Sequence, residues 1–317
     1  MRAVLWGTPV NHQILHDHLA TLKDLDIVAA RDPASLAAAM PGAEIVIMPV
    51  RHYDAGIAQI LARHADSLRL LQLINAGYDT VAAHPPPRGT IVATAGDALA
   101  PAIGEHVMAL FLALARQLDV ALRQQVESRW DDSIRGRLRV LSGSTVVVVG
   151  YGAIGKQVAL RCKAFGMHVI GVRRSGGSDP HVDEMVTPAA LDSVLARADR
   201  IAISLPLTDA TRKLFDARRF AACKPGATLV NVARGGIVDT AALVAALQSG
   251  QIGAAGLDVT EPEPLPPEHP LWQMPRVLIS PHVSGAGSNP LLARHIAANV
   301  GRYLAGEPLQ ARLAEFD

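Results

Sequence analysis

Cysteine and charged residues are scarce in this sequence. Its 317 residues include two cysteines, Cys162 and Cys223, and 19% charged residues. Two thiols that lie in no CxxC motif cannot build the disulfide framework of a small secreted domain. Lys plus Arg number 30 and Asp plus Glu number 29, which gives a net charge of +1. A balanced charge produces no long-range attraction to a polyanion, so we expect neither nucleic acid nor a membrane surface as a partner.

The sequence also lacks a long uninterrupted apolar run. The longest, Val107–Ala115, is far short of the roughly 20 residues that span a bilayer, and the apolar run near Met1 is too short for a signal peptide. Half of the residues are hydrophobic, which is enough for sizeable cores. At about 150 residues per domain, the length indicates two domains. We therefore expect a globular, cytoplasmic, two-domain protein.

Short β-branched runs alternate with amphipathic runs along the chain. The first series predicts strands at 2–6, 27–30, 44–50, 70–74 and 90–94, with helices at 13–22, 33–40 and 54–65. The second predicts helices at 101–125, 156–165 and 290–305, with strands at 145–149, 168–172, 200–204, 228–232, 253–259 and 277–280. Such alternation is typical of parallel sheets covered by helices, and it predicts the α/β class.

A glycine-rich segment, Gly150–Gly155 (GYGAIG), follows the strand at 145–149 and opens a predicted helix. Strand, GxGxxG and helix in this order indicate dinucleotide binding. The first glycine permits the tight turn, the second admits a pyrophosphate, and the third lets the helix pack closely. The helix N-terminus offers free N–H groups to the anion. We expect the cofactor to contact Gly150, Gly152, Ala153, Ile154 and Gly155.

The same residues also approach a second phosphate-binding motif. Gly150 to Lys156 fit GxxxxGK, but Gln157 stands where Ser or Thr would hold Mg²⁺. A triphosphatase-type nucleotide-binding loop is therefore a remote alternative.

Arginine stands where NAD-binding proteins carry an acidic residue. About 20 positions after the glycines, a carboxylate normally accepts the ribose hydroxyls of NAD. Here the predicted strand 168–172 is followed by Arg173 and Arg174, and a guanidinium can pair bidentately with a 2′-phosphate. We expect NADP(H) in preference to NAD(H), which stays possible. The alternative is a solvated pair of arginines at a strand end.

Three later loops each follow a predicted strand and carry a polar residue suited to carbonyl chemistry: Arg234, Glu263 and His282. Ligands of open α/β sheets gather at the carboxyl ends of the strands. The segments around these residues read LVNVARGGIVD, GLDVTEPEPLP and LWQMPRVLISPHVSG, and VVVVGYGAIG and SLPLTDAT precede them. With these segments the sequence resembles the D-isomer-specific 2-hydroxyacid dehydrogenases, such as glyoxylate/hydroxypyruvate reductases, along essentially its whole length.

The resemblance implies an architecture and an activity. It implies two Rossmann-like, doubly wound domains, with a cofactor domain at 99–286 inserted into a flavodoxin-like substrate domain made of 1–98 and 287–317. The chain would form a homodimer. It would transfer a hydride between NAD(P)H and a small 2-oxo acid, giving a D-2-hydroxy acid, or act in reverse, without a metal.

The resemblance also implies roles for the three polar residues. His282 would donate the proton as general acid, and Glu263 would hydrogen-bond its other ring nitrogen. The family spacing favours Glu263 over the neighbouring Glu261. Arg234 would bind the substrate carboxylate and carbonyl oxygen with its two-pronged guanidinium.

Further contacts follow from the resemblance alone. Asp258 would approach the nicotinamide carboxamide. The other implied cofactor contacts are Leu205, Pro206, Val232, Ala233, Arg234, His282, Ser284 and Gly285. The implied substrate contacts are Arg51, Ala76, Gly77, Arg234 and His282.

Two other interpretations concern the function class. His12, His16 and His18 share one predicted helix, but no third ligand of clear spacing accompanies them, so we expect no metal site. Some relatives with this fold bind the dinucleotide without catalysis, as sensing proteins. The intact set of Arg234, Glu263 and His282 disfavours that alternative, which turnover of any 2-oxo acid would exclude.

Overall fold

The chain folds into two compact units. Unit 1 comprises Met1–Leu99 and Ala286–Asp317, and unit 2 comprises Ala100–Gly285. The computed structural model describes residues 1–7, 9–287, 290–313 and 316, and in the first helix it describes side chains from residue 13 onward. The predicted inserted domain, 99–286, differs from unit 2 by about one residue at each end.

The strands are β1 (Arg2–Trp6), β2 (Asp26–Ala30), β3 (Ala43–Met48), β4 (Leu70–Leu73), β5 (Ile91–Ala93), β6 (Thr145–Val149), β7 (His168–Val172), β8 (Glu184–Val186), β9 (Arg200–Ile203), β10 (Ala227–Asn231), β11 (Ile252–Leu257) and β12 (Val277–Ile279). The helices are α1 (Pro9–Leu19), α2 (Pro33–Ala39), α3 (Ala55–Ala62), α4 (Asp79–Ala83), α5 (Ala100–Arg116), α6 (Leu118–Val126), α7 (Ala153–Ala164), α8 (Leu191–Leu195), α9 (Ala217–Ala222), α10 (Thr240–Gln248) and α11 (Pro290–Leu304).

Unit 1 is a five-stranded sheet in the order β2-β1-β3-β4-β5, with every described pair parallel. This is the flavodoxin-like order. The last helix, α11, belongs to this unit because its apolar face packs with α1: Leu19, Ile296 and Val300 share one buried cluster. The amide of the buried Asn299 also donates to Oε1 of Gln72 in β4 at 3.0 Å. Both ends of the sequence therefore stabilise the same sheet.

Unit 2 is a seven-stranded sheet in the order β12-β11-β10-β9-β6-β7-β8, with every described pair parallel. The strand order reverses between β6 and β9, which is the switch point at which doubly wound sheets bind ligands. In β6, Val146–Val149 are buried, as expected for a central strand covered on both faces. The predicted α/β class with two doubly wound sheets is confirmed.

The prediction of one continuous helix over 101–125 is wrong. The chain forms α5 and α6, separated by Gln117, whose φ of 52° lies in the left-handed region. A left-handed residue breaks the helical hydrogen-bond pattern. The apolar period runs on through both helices, so it does not reveal the break. The short elements β8 and α4 were not predicted either, because three to five residues are too few to show a period.

Among the residues that the structure describes, one helical stretch, Gly96–Arg116, is long and apolar enough by length and composition to cross a bilayer. Of its most apolar window, 56% is buried inside the protein. Val107, Phe111 and Leu114 in α5 have at most 2% exposure. This pattern is that of a helix packed into the core of unit 2.

Candidate active site

The glycine-rich loop is held at the ends of three adjacent strands. The N–H groups of Gly150 and Tyr151 donate to the carbonyl of Val172 at 3.1 and 2.9 Å, and the Ser204 hydroxyl donates to the Gly150 carbonyl at 2.8 Å. Gly150 has a φ of 102°, and a Cβ there would lie 2.6 Å from the Ser204 carbonyl oxygen. Only glycine fits this turn without displacing β9.

The other two glycines of the motif differ in their surroundings. Gly155 packs directly on the loop, because a Cβ there would overlap the carbonyl oxygen of Gly150. Gly152 is exposed at the N-terminus of α7, and a Cβ there would meet nothing within 4 Å. Open space in front of a helix N-terminus suits a pyrophosphate, since N–H groups and the helix dipole face it. The loop therefore fits a dinucleotide.

The lysine and glutamine after this loop have other partners. Nζ of Lys156 lies 3.5 Å from Oδ2 of Asp179, and Oε1 of Gln157 accepts a hydrogen bond from Arg161 at 2.6 Å. A triphosphatase-type loop needs its lysine at the phosphates and a hydroxyl for Mg²⁺. Neither residue is arranged for that role.

Two guanidinium groups follow β7, where the adenosine ribose of a dinucleotide binds. Arg173 is half-buried and its Nε donates to the Gly176 carbonyl, whereas Arg174 is exposed. The next carboxylate along the chain, Asp179, is taken up by Lys156 and by the N–H of His181 at 3.1 Å. The end of β7 is thus basic.

His282 and Glu263 form a close pair. Nδ1 of His282 lies 2.6 Å from Oε1 of Glu263, and the two side chains are 47% and 43% exposed. Because the ring nitrogens lie on different sides of the imidazole, Nε2 points away from the carboxylate. Glu261 instead pairs with Nη1 of Arg212 at 3.2 Å. The structure therefore places Glu263, and not Glu261, beside the histidine.

The loop that carries His282 is held by hydrogen bonds to the buried carboxylate of Asp258, which follows β11. This carboxylate has 0% exposure and accepts hydrogen bonds from the Ser280 hydroxyl at 2.7 Å and the Val283 and Ser284 N–H groups at 2.9 and 3.0 Å. Burial by itself raises the pKa of Asp258, but the bonds from Ser284, Ser280 and Val283 outweigh it and hold this pKa below its usual value. The predicted contact of Asp258 with the carboxamide stays a prediction.

His106 extends this network and was not predicted. Its Nε2 lies 2.9 Å from the Ser280 hydroxyl and 3.6 Å from Oδ1 of Asp258. The residue stands in α5, separated from Ser280 by 174 positions, so no spacing in the sequence connects the two. The available signal is a histidine just before the apolar run Val107–Ala115 of this helix.

Arg234 stands on the loop that follows β10. Asn231 shapes this loop: its Oδ1 accepts from the Ala233 N–H and its Nδ2 donates to the Arg234 carbonyl, both at 3.0 Å. Arg234 is half-buried, and its Nη1 donates to the Ala233 carbonyl at 2.7 Å. A Cβ on Gly235 would overlap the Thr260 carbonyl. The Arg234 loop therefore packs directly on the segment that leads to Glu263.

Sheet polarity brings the predicted residues of unit 2 together. The loops after β6, β7, β9, β10, β11 and β12 all leave the same edge of the sheet, because the strands are parallel. This edge carries Gly150, Arg173, Leu205, Pro206, Val232, Ala233, Arg234, Asp258, His282, Ser284 and Gly285. Val232, Ala233 and Ser284 are buried, while Pro206 is exposed.

The predicted substrate contacts of unit 1 also lie close to one another. Arg51 stands in a single 3₁₀ turn, Val50–His52, after β3, and Ala76 and Gly77 follow β4. Oδ1 of Asn75 accepts from the Val50 N–H at 2.8 Å, which ties the two loops together. Arg51 is exposed, and its Nε donates to the ring of His52 at 3.2 Å.

No group of three metal-ligating side chains occurs within 1–7, 9–287, 290–313 and 316. The His12 side chain lies outside the described residues. Nδ1 of His18 lies 2.9 Å from the Ile14 carbonyl within the same helix.

The two helix-side glycines give a matched pair of substitutions. We expect Gly155→Ala to lower the free energy of unfolding by about 1–3 kcal/mol, because its Cβ overlaps the Gly150 carbonyl. Gly152→Ala faces open space and should change stability by about 0.5 kcal/mol or less, yet weaken dinucleotide binding about tenfold or more by filling the space for the pyrophosphate. Denaturant unfolding and dinucleotide titration measure the two effects. Equal stability losses in both variants would contradict the assignment.

The geometry described above agrees with the likeness of this chain to known proteins. The family model described as "D-isomer specific 2-hydroxyacid dehydrogenase, NAD binding domain" matches residues 108–284. The D-3-phosphoglycerate dehydrogenase of Mycobacterium leprae is 37% identical over 288 residues, which cover 87% of this chain and 52% of that protein. The chain thus spans about half the length of this curated relative.

Solved structures match over the full chain. One is a D-isomer specific 2-hydroxyacid dehydrogenase family protein from Aeromonas salmonicida subsp. salmonicida, with 33% identity, a TM-score of 0.89 and coverage of 100% of this chain and 99% of that one. Another is the NADPH-dependent glyoxylate/hydroxypyruvate reductase of Sinorhizobium meliloti in complex with NADP and sulfate, with 27% identity, a TM-score of 0.82 and coverage of 99% of each chain. With its dinucleotide loop and the family model across most of unit 2, the chain belongs to the D-isomer specific 2-hydroxyacid dehydrogenase family.

Proposed function

We propose that this protein is an NADPH-dependent reductase of small 2-oxo acids that forms D-2-hydroxy acids. The observation that carries the proposal is the 2.6 Å pair of His282 and Glu263, which stands at the same sheet edge as the glycine-rich loop and Arg234. A histidine oriented by a carboxylate, an arginine and a dinucleotide loop form the set that carbonyl reduction requires.

His282 acts as the proton donor in this proposal. Bound NADPH supplies the hydride that reaches the carbonyl carbon, and negative charge grows on the carbonyl oxygen. His282 donates a proton to that oxygen from Nε2, the ring nitrogen that points away from Glu263. Glu263 accepts the Nδ1–H, which fixes the orientation of the ring and leaves Nε2 free to face the substrate. In the reverse direction the same nitrogen removes the proton.

Arg234 positions the substrate. Its guanidinium can donate to the carboxylate and to the adjacent carbonyl oxygen, so it aligns the acceptor carbon and offsets the charge that develops on the oxygen. The Asn231 hydrogen bonds and the close packing of Gly235 hold the Arg234 loop beside the segment of Glu263. Arg51, Ala76 and Gly77 of unit 1 complete the substrate contacts as a prediction from the sequence.

The cofactor and substrate class rest on charge and on relatives. The basic end of β7, with Arg173 and Arg174, favours NADPH over NADH because it suits a 2′-phosphate. The Sinorhizobium meliloti relative is named as an NADPH-dependent glyoxylate/hydroxypyruvate reductase, which supports these small acids as first substrates. The Mycobacterium leprae relative is a phosphoglycerate dehydrogenase, so a phosphorylated 2-oxo acid belongs in the same assay.

The decisive experiment is a panel of 2-oxo acids, each with NADPH and with NADH. Glyoxylate, hydroxypyruvate, pyruvate and 3-phosphohydroxypyruvate are supplied to the full chain, and loss of the reduced cofactor is followed by absorbance. We expect turnover of at least one small acid with NADPH. Tight NADPH binding without turnover of any acid would instead support the dinucleotide-sensing alternative.

The histidine–glutamate pair can be tested against a matched neighbour. We expect His282→Ala to lower kcat about 10²–10⁴-fold with cofactor affinity nearly intact, because only the proton donor is lost. Glu263→Gln should lower kcat about tenfold or more, since a neutral amide accepts a weaker hydrogen bond from Nδ1 than a carboxylate does and holds the ring less firmly.

Glu261→Gln is the control for this pair, because Glu261 faces Arg212 and not His282. It should leave kcat within about twofold of the native value. A normal kcat in His282→Ala, or equal losses in the two glutamate variants, would contradict the proton-donor assignment.

Cofactor choice is tested by charge reversal at the end of β7. We expect Arg173→Asp to lower the NADPH-to-NADH ratio of kcat/KM about a hundredfold, because a carboxylate repels the 2′-phosphate and accepts ribose hydroxyls. Arg218→Asp makes the same charge change on α9, where the native arginine pairs with Asp192 at 2.6 Å, and should leave the ratio unchanged. An unaltered NADPH preference in Arg173→Asp would remove Arg173 from the phosphate site.

We also propose a cytoplasmic homodimer. Leu118, Leu122 and Val126 form one stripe on α6 with exposures of 47%, 62% and 87%, and Trp130 beyond it is 100% exposed. An apolar stripe of this kind, at a spacing of four residues, suits a second copy of the chain.

The cytoplasmic location rests on the two cysteines. Cys162 and Cys223 are free and buried, and burial raises the pKa of each thiol to about 12. Such inert thiols suit a reducing compartment.

The dimer surface is tested by placing charge on the stripe. We expect the double variant Leu122→Asp, Val126→Asp to sediment as a monomer, because burying two carboxylates opposes association. Leu291→Asp, at an exposed apolar position of α11, is the control and should sediment like the native protein. A native protein that sediments as a monomer would refute the surface.

A further inference from the structure

A basic cavity lies at the edge of the unit 2 sheet opposite the candidate active site. It has a volume of about 640 Å³ and is lined by residues at the amino ends of the strands, such as Ser144 before β6, Thr228 in β10 and Gly253 in β11. The loops of the active site leave the carboxyl ends. Strands of this length separate the two edges by about 15 Å. The cavity is therefore distinct from the dinucleotide loop.

Positive charge dominates the lining. Arg139, Arg200, Lys224 and Arg276 face the cavity together with one carboxylate, that of Asp199. Asp199 is already paired, because its Oδ1 lies 2.6 Å from Nζ of Lys224 and its Oδ2 accepts from the Thr145 N–H at 2.8 Å. Within the described part of the chain, the three arginines make no ion pair. None of the three guanidinium groups thus has a described carboxylate within ion-pair distance, although Asp199 and Asp119 act on Arg200 and Arg276 from further away.

Arg200 is buried and Arg276 is half-buried, and each has a buried Nε without a hydrogen-bond partner among the described residues. The exposed fraction of Arg200 is 6%. Among the described residues, the Arg200 side chain makes one hydrogen bond, which is long: Nη2 donates to the Val140 carbonyl at 3.4 Å. A buried donor without a partner costs free energy, and a buried charge without a partner costs more. A negatively charged ligand in the cavity would offset the cost of the charge.

The pKa values of Arg200 and Arg276 reflect their burial and the charges around them. Burial is the largest cause that lowers the pKa of both Arg200 and Arg276. At Arg200 the charges of Asp199 and Cys162 raise the pKa, and Arg276 lowers it by a smaller amount. Arg139 and Arg137 add to the lowering at Arg276, while Asp119 opposes it. The like charges of the neighbouring guanidinium groups oppose one another, while the carboxylates Asp199 and Asp119 have the larger effect on these two arginines. Bringing like charges together is stabilised by an anion between them.

We propose that this cavity binds a small phosphate-bearing anion. Guanidinium groups match a phosphate with paired hydrogen bonds, and the hydroxyl-bearing side chains of Ser142, Ser144 and Thr228 stand at the same wall. The volume is within the range of about 300–1,000 Å³ that small-molecule sites occupy, so the cavity can admit more than the phosphate itself. The site is independent of the proposed dehydrogenase activity.

Inorganic pyrophosphate is the probe, titrated calorimetrically into the full chain with saturating NADPH so that the glycine-rich loop is filled. We expect one pyrophosphate to bind per chain. The double variant Arg200→Met, Arg276→Gln should weaken this binding about tenfold or more through loss of two charged donors. The control Arg197→Gln, Arg218→Gln removes the same charge from arginines that pair with Glu184 and Asp192, and it should bind as the native protein does.

Further variants distinguish a loss of binding at the cavity from misfolding and from binding at the glycine-rich loop. Thermal unfolding without anion shows whether each variant is folded. If Arg200→Met is unfolded, the single variants Arg276→Gln and Arg139→Gln, the latter at an exposed residue, replace it. Each should weaken pyrophosphate binding about fivefold or more. Arg173→Asp removes charge at the glycine-rich loop and should leave the pyrophosphate affinity unchanged.

Three results would overturn the proposal. The first is native affinity in Arg200→Met, Arg276→Gln. The second is loss of binding in Arg173→Asp alone, which assigns the anion to the dinucleotide loop. The third is a pair of results: pyrophosphate does not bind to the native protein, and the double variant dissociates on sedimentation. This pair would assign the cavity to an acidic segment of a second copy.

Discussion

The buried carboxylate of Asp258 is the interaction on which the candidate active site depends. Backbone N–H groups of Val283 and Ser284 donate to its side chain, and the N–H of His282 donates to its carbonyl at 2.8 Å. His282 itself has a φ of 55°, in the left-handed region, which costs about 1–2 kcal/mol for a residue other than glycine. Hydrogen bonds to a charged acceptor contribute about 1.5–3 kcal/mol each, so the Asp258 anchor offsets that cost and holds the histidine toward Glu263.

The polarity of the parallel sheet gives unit 2 two chemically different edges. At the carboxyl edge, the N-terminus of α7 and the loops after successive strands present donors to a dinucleotide and a carboxylic acid. At the amino edge, helices end with their carbonyl groups, and cationic side chains are favoured there by the helix dipole. The helix dipole stabilises basic residues at this edge. It does not satisfy Nε of Arg200 and Arg276, which are buried with no hydrogen-bond partner among the described residues.

Particular residues show which features can be predicted from the sequence and which cannot. The valine run of β6, the GxGxxG loop and the arginine after β7 were located correctly, because each is a local pattern whose meaning depends on adjacent residues. Pattern also selected the loops of Arg234, Glu263 and His282. It failed at Gln117, where one left-handed residue divides a helix, and at His106, whose partner lies 174 residues away. The exposure of an arginine also depends on residues far away in the sequence. The sequence predicts Arg200 as the first residue of a strand, and only the packed structure shows that it is 6% exposed.

The sequence by itself determined the α/β class, the two doubly wound sheets, the dinucleotide loop and the polar residues of the three later loops. Hydrophobic periodicity and glycine spacing are properties of short segments, so they survive without the fold. The family spacing had already favoured Glu263 over Glu261, and the structure places Glu263 beside the histidine. The tertiary structure alone decided that Asp258 is an anchor for the His282 loop, and that Arg139, Arg200 and Arg276 meet around one cavity. Each of these facts joins groups from different segments of the chain, and such contacts exist only once the sheet has formed.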